Sequence, residues 1–291
     1  MKWLITGANG FIGRNLLQHL LETEDEATYV VMQRHPPQYH HPRLKYVEAD
    51  LSADFTSSLD QLKVDGVLFL AQSSRFREFP AGAEDMFRVN TEAAARLALW
   101  AANTGVRRFI YASTGSVYVP GEGLLKESSP VAAASYYAAS KLAAEHLLTP
   151  YGAILKVDIL RIFNPYGPDQ KNMLIPGLIE RIGKKEPVTL NGGKGMVLRP
   201  LYISDLTEII KRLMKQDAEK GCDVYNLGGS ETTHLGEIAD FVASSLGVEL
   251  TKIAPEGSTP LTLTADSDKI YKLTHYFPLV HWKDGIKKCL Q

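Results

Sequence analysis

The sequence predicts an α/β fold built on a doubly wound parallel sheet. Three observations support this: apolar strand-length segments alternate with helical periodicities, segment 64–71 is apolar enough for a strand buried on both faces, and the strand at 2–6 leads at once into a glycine turn and a helix. Beyond residue 168 the alternation changes character. We therefore predict two domains, 1–168 and a smaller C-terminal α/β cap over 169–291, with segments near 196–228 returning to the first domain.

The first strand–helix connection carries Gly7, Gly10 and Gly13, followed by apolar residues at helical spacing from Ile12 onward. Glycines in such a turn let backbone N–H groups approach a diphosphate at a helix N-terminus, as in Rossmann-type dinucleotide sites. A plain glycine-rich turn is the alternative. The position of the turn at the start of a βα unit favours dinucleotide binding.

The second strand, over 27–32, ends in Gln33 and Arg34. NAD-binding units usually have an acidic residue here for the ribose hydroxyls, whereas an arginine accommodates the 2′-phosphate of NADP. Arg34 therefore slightly favours NADP over NAD. A solvated arginine is the alternative, because the sequence does not show where this side chain points.

The remaining elements follow in order. Strands are predicted over 44–49, 64–71, 107–113 and 154–163, with short β segments at 188–190, 196–198 and 224–227. Helices are predicted over 83–102, where Gly105 ends the helix, around Tyr137, over 173–184, through Lys215 and over 235–246. The strand at 107–113 ends at Ser113 and Thr114. Ligands of an open α/β sheet bind at that carboxyl end.

Tyr137 and Lys141 lie one turn apart on one face if the Ala-rich segment around them is helical. A phenol with a pKa near ~10 is a poor acid or base at neutral pH. A neighbouring ammonium is expected to lower that pKa toward the working range. Taken alone, Tyr-x-x-x-Lys is also the pattern of a solvated helical pair.

Composition narrows the class of protein. Of 291 residues, 45% are hydrophobic and 22% charged, and the net charge of −1 gives no case for nucleic acid or an anionic membrane as a partner. Cys222 and Cys289 lie far apart without metal-type spacing, which indicates a reduced, intracellular protein. Since no apolar run approaches the ~18 residues of a membrane span, and the stretch at 3–5 is too short for a signal peptide, we expect a cytoplasmic protein.

Three histidines, His35, His40 and His41, stand among prolines after the second strand and raise the hypothesis of a metal site. The segment has no Cys or Asp ligands to support it. A surface loop is therefore favoured, and no metal is predicted.

With these motifs in one order, the chain resembles the extended short-chain dehydrogenase/reductases, the nucleotide-sugar epimerase/dehydratase family. The resemblance covers nearly the whole chain. The matching motifs are Thr6-Gly7-x-x-Gly10-x-x-Gly13, Asp50-Leu51, Leu70-Ala71, Asn90 opening its helix, Ser113-Thr114 before Val117-Tyr118, Tyr137-x-x-x-Lys141 with Glu145, Arg161-x-x-Asn164-x-Tyr166-Gly167-Pro168, Arg199-x-x-Tyr202-x-x-Asp205 and Asn226-Leu227-Gly228.

The resemblance implies a role for each matching residue. Tyr137 would be the acid/base at a sugar hydroxyl or carbonyl, Lys141 would hold the nicotinamide ribose, and Thr114 would bind the same substrate oxygen. Asn164 and Arg199 would bind the diphosphate of a nucleotide sugar; a surface ion pair is the alternative for Arg199. The other implied dinucleotide contacts are Gly7, Gly10, Phe11, Ile12, Gly13, Asp50, Leu51, Leu70, Ala71 and Asn90.

Departures from the family pattern narrow the reaction. Family 4,6-dehydratases carry an Asp-Glu pair after the catalytic Thr, whereas Gly115-Ser116 follows Thr114, so dehydration lacks its acid and base. The 3,5-epimerase/reductase members use a Cys and a His, and both cysteines here lie far from the motifs. An epimerase and an NADPH-consuming 4-ketoreductase both remain open. The competing class is a non-catalytic NAD(P)-binding sensor of the same fold.

A homodimer is expected by resemblance, through the helices that carry Leu97, Trp100, Leu142, Leu147 and Leu148. The alternative is that these apolar residues face the core, because periodicity alone does not separate the two.

Overall fold

The computed structural model describes residues 1–24, 26–36 and 40–291. They form two compact units, each built from several chain segments. The first unit comprises residues 1–117, 131–161 and 210–225, and the second comprises residues 118–130, 162–209 and 226–291. The functional division at residue 168 stays a prediction.

The largest sheet is parallel and has seven strands among the described residues, flanked by helices, as predicted. In chain order its strands are β1 Lys2–Thr6, β2 Thr28–Gln33, β3 Leu44–Glu48, β4 Gly66–Phe69, β5 Arg108–Thr114, β6 Lys156–Ile162 and β11 Gly221–Leu227. The spatial order is β11-β6-β5-β4-β1-β2-β3. The direction of strand order therefore reverses between β1 and β4, which is the switch point where Rossmann-type sheets bind their ligands.

Helices of the first unit follow the predicted periodicities. They are α1 Phe11–Thr23, α2 Ala83–Met86, α3 Ala93–Thr104 and α4 Tyr136–Leu148, with short 3₁₀ turns at Thr56–Leu59, Gly115–Val117 and Thr149–Ala153. Ser135 begins α4 as its N-cap, because its Oγ accepts a hydrogen bond from the N–H of Ala138 at 3.2 Å. Gly105 ends α3 in the left-handed conformation, which confirms the predicted helix end.

Between α2 and α3 the helix does not stop. A π-helical segment, Phe87–Glu92, joins them into one helix from residue 83 to residue 104. Asn90 lies inside this segment, so the expectation that it opens its helix is wrong. The apolar periodicity of the sequence did not predict this wide turn, because a π segment shifts the apolar pattern by only one residue.

The core of the first unit is formed by strand residues and the inner faces of α3 and α4. Leu97 and Leu148 are fully buried in it, so these two side chains are not available to a partner subunit, and their assignment to a dimer surface is wrong. Leu142 and Trp100 are half-buried, whereas Leu147 and Leu99 are exposed.

The second unit contains short β pairs and the later helices. They are β7 Pro165–Tyr166, β8 Val188–Thr189, β9 Val197–Leu198, β10 Leu201–Tyr202, β12 Thr233–His234, β13 Lys252–Ile253 and β14 Thr262–Leu263, with α5 Leu174–Gly183, α7 Leu235–Leu246, α8 Asp268–Thr274, α9 Trp282–Cys289 and a 3₁₀ turn at Asn191–Gly193. The helix α6 Ile203–Met214 begins in this unit and ends in the first. Within the unit, α7 packs against both α5 and α9.

Candidate functional site

Lys141 is a buried lysine on α4. Its side chain is 2% exposed, its ammonium donates a hydrogen bond to the carbonyl of Ala112 at 2.9 Å, and Nζ lies 5.0 Å from the ring centre of Tyr111. Burial lowers the pKa of Lys141 to about 7, and the nearby carboxylate of Glu145 opposes that fall. A lysine of this kind changes charge near neutral pH, unlike a solvated helical partner.

Tyr137 precedes Lys141 by one turn and is half-buried. Its hydroxyl donates a hydrogen bond to Oε1 of Gln72 at 3.0 Å, and its ring centre lies 5.5 Å from that of Phe76. Burial raises the pKa of Tyr137 to about 12, although a hydrogen bond with Thr114 lowers it in part. The expectation that Lys141 brings this pKa down is therefore wrong for the chain by itself, because loss of water around the phenol outweighs the other effects.

Thr114 is the last residue of β5 and is almost fully buried. Its Oγ1 accepts a hydrogen bond from the N–H of Ser116 at 3.2 Å and also hydrogen-bonds with Tyr137. The structure thus brings the three predicted catalytic residues together at one end of β5 and one face of α4. Gln72, which the sequence analysis did not single out, shares this location. Its one signal was its place directly after Leu70-Ala71, past the carboxyl end of β4.

A buried ionic cluster of Glu145, Arg161 and Ser113 lies next to these residues, and its pairing was not predicted from the sequence. Glu145, one turn after Lys141, accepts hydrogen bonds from Arg161 at 2.6 and 3.1 Å and from the hydroxyl of Ser113. Glu145 and Arg161 are only 3% and 6% exposed. The four-residue spacing from Lys141 to Glu145 was the available signal. The cluster ties α4 to β5 and β6.

Lys141 gives a pH-dependent prediction for stability. Because its folded pKa of about 7 lies below the ordinary value of 10.5, the unfolded chain binds more protons between these two values, and the destabilising cost of burying Lys141 falls as the pH rises through that window. Lys141→Met removes this contribution. We expect the stability gain from the substitution to be larger at pH 6 than at pH 9 in denaturant unfolding. A difference that does not change with pH would contradict the shifted pKa.

The glycine turn lies at the switch point. Gly7 has φ +71°, and a Cβ on it would lie 2.7 Å from the backbone N of Ala71, so the turn approaches the end of β4 too closely for a side chain. A Cβ on Gly13 would lie 2.2 Å from the carbonyl oxygen of Gly7. Helix α1 begins at Phe11 with Gly10 as N-cap, and Ile12 follows in its first turn. That turn has no acidic residue, so its N–H groups are suited to an anion.

Arg34 and Asp50 follow the ends of β2 and β3. Burial alone would raise the pKa of Asp50, but hydrogen bonds from the N–H and hydroxyl of Ser52, with the charge of Arg34 adding to them, hold that pKa below its ordinary value. Arg34 is exposed, and its charge is close enough to act on the carboxylate. Leu51 is half-buried against the core.

Leu70, Ala71 and Asn90 lie beside the glycine turn or helix α4. The predicted strand at 64–71 ends earlier, at Phe69, so Leu70 and Ala71 belong to the connection after β4. The N–H of Ala71 donates to Oγ1 of Thr6 at 3.2 Å. Asn90 is fully buried; its amide accepts from the N–H of Ser73 at 2.9 Å and donates to the hydroxyl of Ser140 at 3.0 Å. Their contact with a dinucleotide stays a prediction.

Asn164 and Arg199 belong to the second unit. Asn164 has φ +43°, and its Nδ2 is buried with no hydrogen-bond partner among the described residues. A buried donor left unpaired costs about 1–3 kcal/mol, and it is therefore a natural contact for a ligand oxygen. The guanidinium of Arg199 donates to Oγ1 of Thr232 at 2.9 Å and to the carbonyl of Ala265 at 3.2 Å, which differs from the surface ion pair considered as its alternative.

No group of three or more His, Cys, Asp or Glu among the described residues could hold a metal ion. No helix in the same part of the chain is long and apolar enough to cross a membrane. Residues 37–39 of the predicted histidine loop lie outside the described residues.

The strand order and the glycine turn at its switch point define a protein of the Rossmann type. The chain belongs to the NAD dependent epimerase/dehydratase family, whose model matches residues 3–228. This confirms the resemblance drawn from the motifs.

Relatives and solved structures are similar over almost the whole chain. The uncharacterized UDP-glucose epimerase YtcB of Bacillus subtilis (strain 168) is 29% identical over 98% of this chain and 96% of its own. UDP-glucuronic acid 4-epimerase from Bacillus cereus, in complex with UDP-glucuronic acid and NAD, is 26% identical with a TM-score of 0.87, covering 99% of this chain and 98% of that one. MoeE5 in complex with UDP-glucose and NAD is 25% identical with a TM-score of 0.86, covering 100% and 97%.

Proposed function

We propose that this protein is an NAD(P)-dependent nucleotide-sugar epimerase or 4-ketoreductase, with hydride transfer at a ring carbon of the sugar and Tyr137 as the acid/base. The observation that carries the proposal is the meeting of Tyr137, Thr114 and the buried Lys141 at the carboxyl end of β5. Such a trio suits chemistry in which an alcohol and a ketone interconvert, because a proton must move at the same oxygen.

The chain's residues fit a dinucleotide. Gly7 and Gly13 allow close backbone approaches that a side chain at either position would block, and the first turn of α1 presents N–H groups without a competing carboxylate. Gly7, Gly10, Phe11, Ile12 and Gly13 would hold the diphosphate. When bound, the nicotinamide supplies the acceptor and donor of hydride.

Tyr137, Thr114 and Lys141 would have different roles in the transfer of the proton. With a pKa of about 12 the phenol rests protonated, so it is set to give a proton to an oxygen that gains negative charge. The hydroxyl of Thr114 would bind the same oxygen and stabilise that charge. The ammonium form of Lys141 would favour the phenolate when the proton moves the other way.

The remaining predicted site residues are also parts of this proposal. Asn164, through its unpaired Nδ2, and Arg199 would bind the diphosphate of the nucleotide sugar. Asp50, Leu51, Leu70, Ala71 and Asn90 would line the adenosine side. Arg34 supports a slight preference for NADP, whereas the similar structures named above bind NAD; a comparison of NADPH and NADH affinities decides between them.

The experiment that tests the function offers the protein a panel of nucleotide sugars and their 4-keto forms. Absorbance of reduced nicotinamide is followed together with product NMR. Stoichiometric loss of NADPH with a keto-sugar would assign a ketoreductase, and turnover with catalytic cofactor would assign an epimerase. Cofactor binding with no turnover on any member would instead favour the sensor, the alternative from a different class.

Gly13→Ala tests the dinucleotide site. The added methyl group would overlap the carbonyl of Gly7, which is backbone and cannot swing away, so we expect at least tenfold weaker NADH binding and a stability loss of about 1–3 kcal/mol. Binding is measured by NADH fluorescence and stability by thermal unfolding. Gly177→Ala in α5 is the matched control. Apart from its chain neighbours and the backbone of its own helix, no heavy atom of the described residues lies within 4 Å of a Cβ placed at Gly177. Unchanged NADH affinity in Gly13→Ala would contradict the assignment.

The homodimer and the cytoplasmic location also remain proposals. Leu147 on α4 and Leu99 on α3 are exposed apolar side chains that a second copy of the chain could cover, which supports the homodimer. The two free cysteines, both half-buried, support a reducing compartment.

A further inference from the structure

The segment 72–82, between β4 and α2, lies against the start of α4 through two aromatic pairs. Phe76 contacts Tyr137 with ring centres 5.5 Å apart, and Phe79 stacks on Tyr136 at 5.4 Å. Gln72 begins this segment and is the residue whose amide meets the phenol of Tyr137 at 3.0 Å. The segment therefore reaches the proposed acid/base directly.

Gln72 is held in place by its neighbour. Ser73 is 2% exposed; its N–H donates to Oδ1 of Asn90 at 2.9 Å, and its hydroxyl donates to the carboxylate of Asp85 while accepting from the N–H of Arg75 at 3.1 Å. Gln72 itself is exposed, so its amide is accessible to solvent and to a substrate. The backbone beside Gln72 is therefore anchored, while its amide is accessible and in hydrogen-bond contact with the phenol.

An amide is an uncharged side chain that can hydrogen-bond with a phenol in both of its protonation states. Its oxygen accepts a hydrogen bond from the neutral phenol, and after a half-turn its NH₂ group donates one to the phenolate. A carboxylate offers only acceptors and adds a negative charge that disfavours the phenolate. A thioether of the same length offers neither a strong donor nor a strong acceptor.

We propose, resting on the proposed function, that Gln72 is a positioning residue for Tyr137: its amide oxygen orients the neutral phenol by accepting a hydrogen bond from it, and its NH₂ group stabilises the phenolate after the amide turns. No covalent step is involved: the proton passes between Tyr137 and the sugar oxygen, and Gln72 exchanges only hydrogen bonds. Gln72 would thereby allow Tyr137 to act in both directions of an alcohol–ketone interconversion.

Other polar and titratable groups lie on the elements around Tyr137. From β5 these are Thr114 and the buried Tyr111, and from α4 they are Lys141 and Glu145. On the segment itself, Arg75 pairs with Glu78 at 2.7 Å, and the guanidinium of Arg77 lies 5.0 Å from the ring of Phe76. These groups are unchanged in variants of Gln72, so a shift seen in those variants reports the change made at residue 72.

The test compares Gln72→Glu and Gln72→Met with the wild type by two measurements. The first is the ultraviolet titration of the Tyr137 phenol, obtained as the difference from the same protein carrying Tyr137→Phe; it needs neither substrate nor turnover. The second is the pH profile of kcat/KM on the sugar that the panel identifies. Gln61→Glu is the matched control, because Gln61 is an exposed glutamine that precedes β4, at the opposite end of the strand from Gln72.

We expect Gln72→Glu to raise the pKa of Tyr137 by about one unit, which is tenfold in the phenolate population at a fixed pH, and to shift the limb of the kcat/KM profile in the same direction. Gln72→Met should lower kcat/KM at least tenfold with KM changed less than kcat, and Gln61→Glu should change neither measurement. A wild-type titration in Gln72→Glu overturns the proposal. So does a shifted titration with an unshifted kcat/KM profile. A shifted titration with no turnover of any sugar by the wild type overturns the proposed function and leaves the contact between Gln72 and Tyr137 demonstrated.

Discussion

Tyr137→Phe is expected to reduce kcat by about 10²–10⁴-fold, the usual contribution of a positioned acid/base. The substitution removes only the hydroxyl, so the ring keeps its contact with Phe76 and α4 keeps its N-cap at Ser135. NADH binding and thermal stability should therefore stay close to wild type. Steady-state rates on the nucleotide sugar identified by the panel provide the measurement.

Tyr136→Phe is the matched control for this experiment. Tyr136 precedes Tyr137 on the same helix, and its ring stacks on exposed Phe79, so the loss of its hydroxyl should leave kcat within about twofold of wild type. If Tyr137→Phe retained full activity, another group would have to move the proton, and the acid/base assignment would be abandoned.

The second large effect is on stability. Arg161→Met removes the guanidinium that pairs with Glu145 at 2.6 Å and leaves that carboxylate buried without its counter-charge. We expect a loss of about 3–5 kcal/mol in the free energy of unfolding, which is the range for breaking one side of a buried pair. Urea unfolding with an unchanged m-value provides the measurement.

A double variant separates this cause from simple loss of packing. Glu145→Leu combined with Arg161→Met removes both charges, so most of the lost stability should return. Arg88→Met is the control for an exposed pair, because Arg88 and Glu84 meet at 2.6 Å in solvent and should contribute less than about 1 kcal/mol. A double variant no more stable than Arg161→Met alone would show that the ion pair is not the reason for the loss.

Local patterns made the framework of the fold predictable. The glycine turn and the apolar strands depend on neighbours within a few residues, and their order along the chain identified the sheet and the family. Tyr137 and Lys141 were found in the same way, because a four-residue spacing on a helix places two side chains on one face.

Contacts and burial that depend on residues far apart in the sequence could not be predicted from local patterns. Burial raises the pKa of Tyr137, and the contact of its phenol with Gln72 joins residues 65 positions apart. The pairing of Glu145 with Arg161 likewise depends on how α4 rests on the sheet. Apolar periodicity also could not tell that Leu97 and Leu148 face inward whereas Leu147 faces solvent.

The wide turn at Phe87–Glu92 has a consequence for how this region tolerates changes in length. A π-helical turn holds one more residue than an α-helical turn, so deletion of a single residue there would restore a regular helix and rotate everything on one side by about 100° relative to the other. Asp85 and Asn90 both anchor Ser73, and a deletion between them would prevent them from reaching it together. The register of this helix thus fixes the position of Ser73 and of the neighbouring Gln72 after β4. We expect related sequences that preserve the contact between Gln72 and Tyr137 to preserve the number of residues in this helix as well.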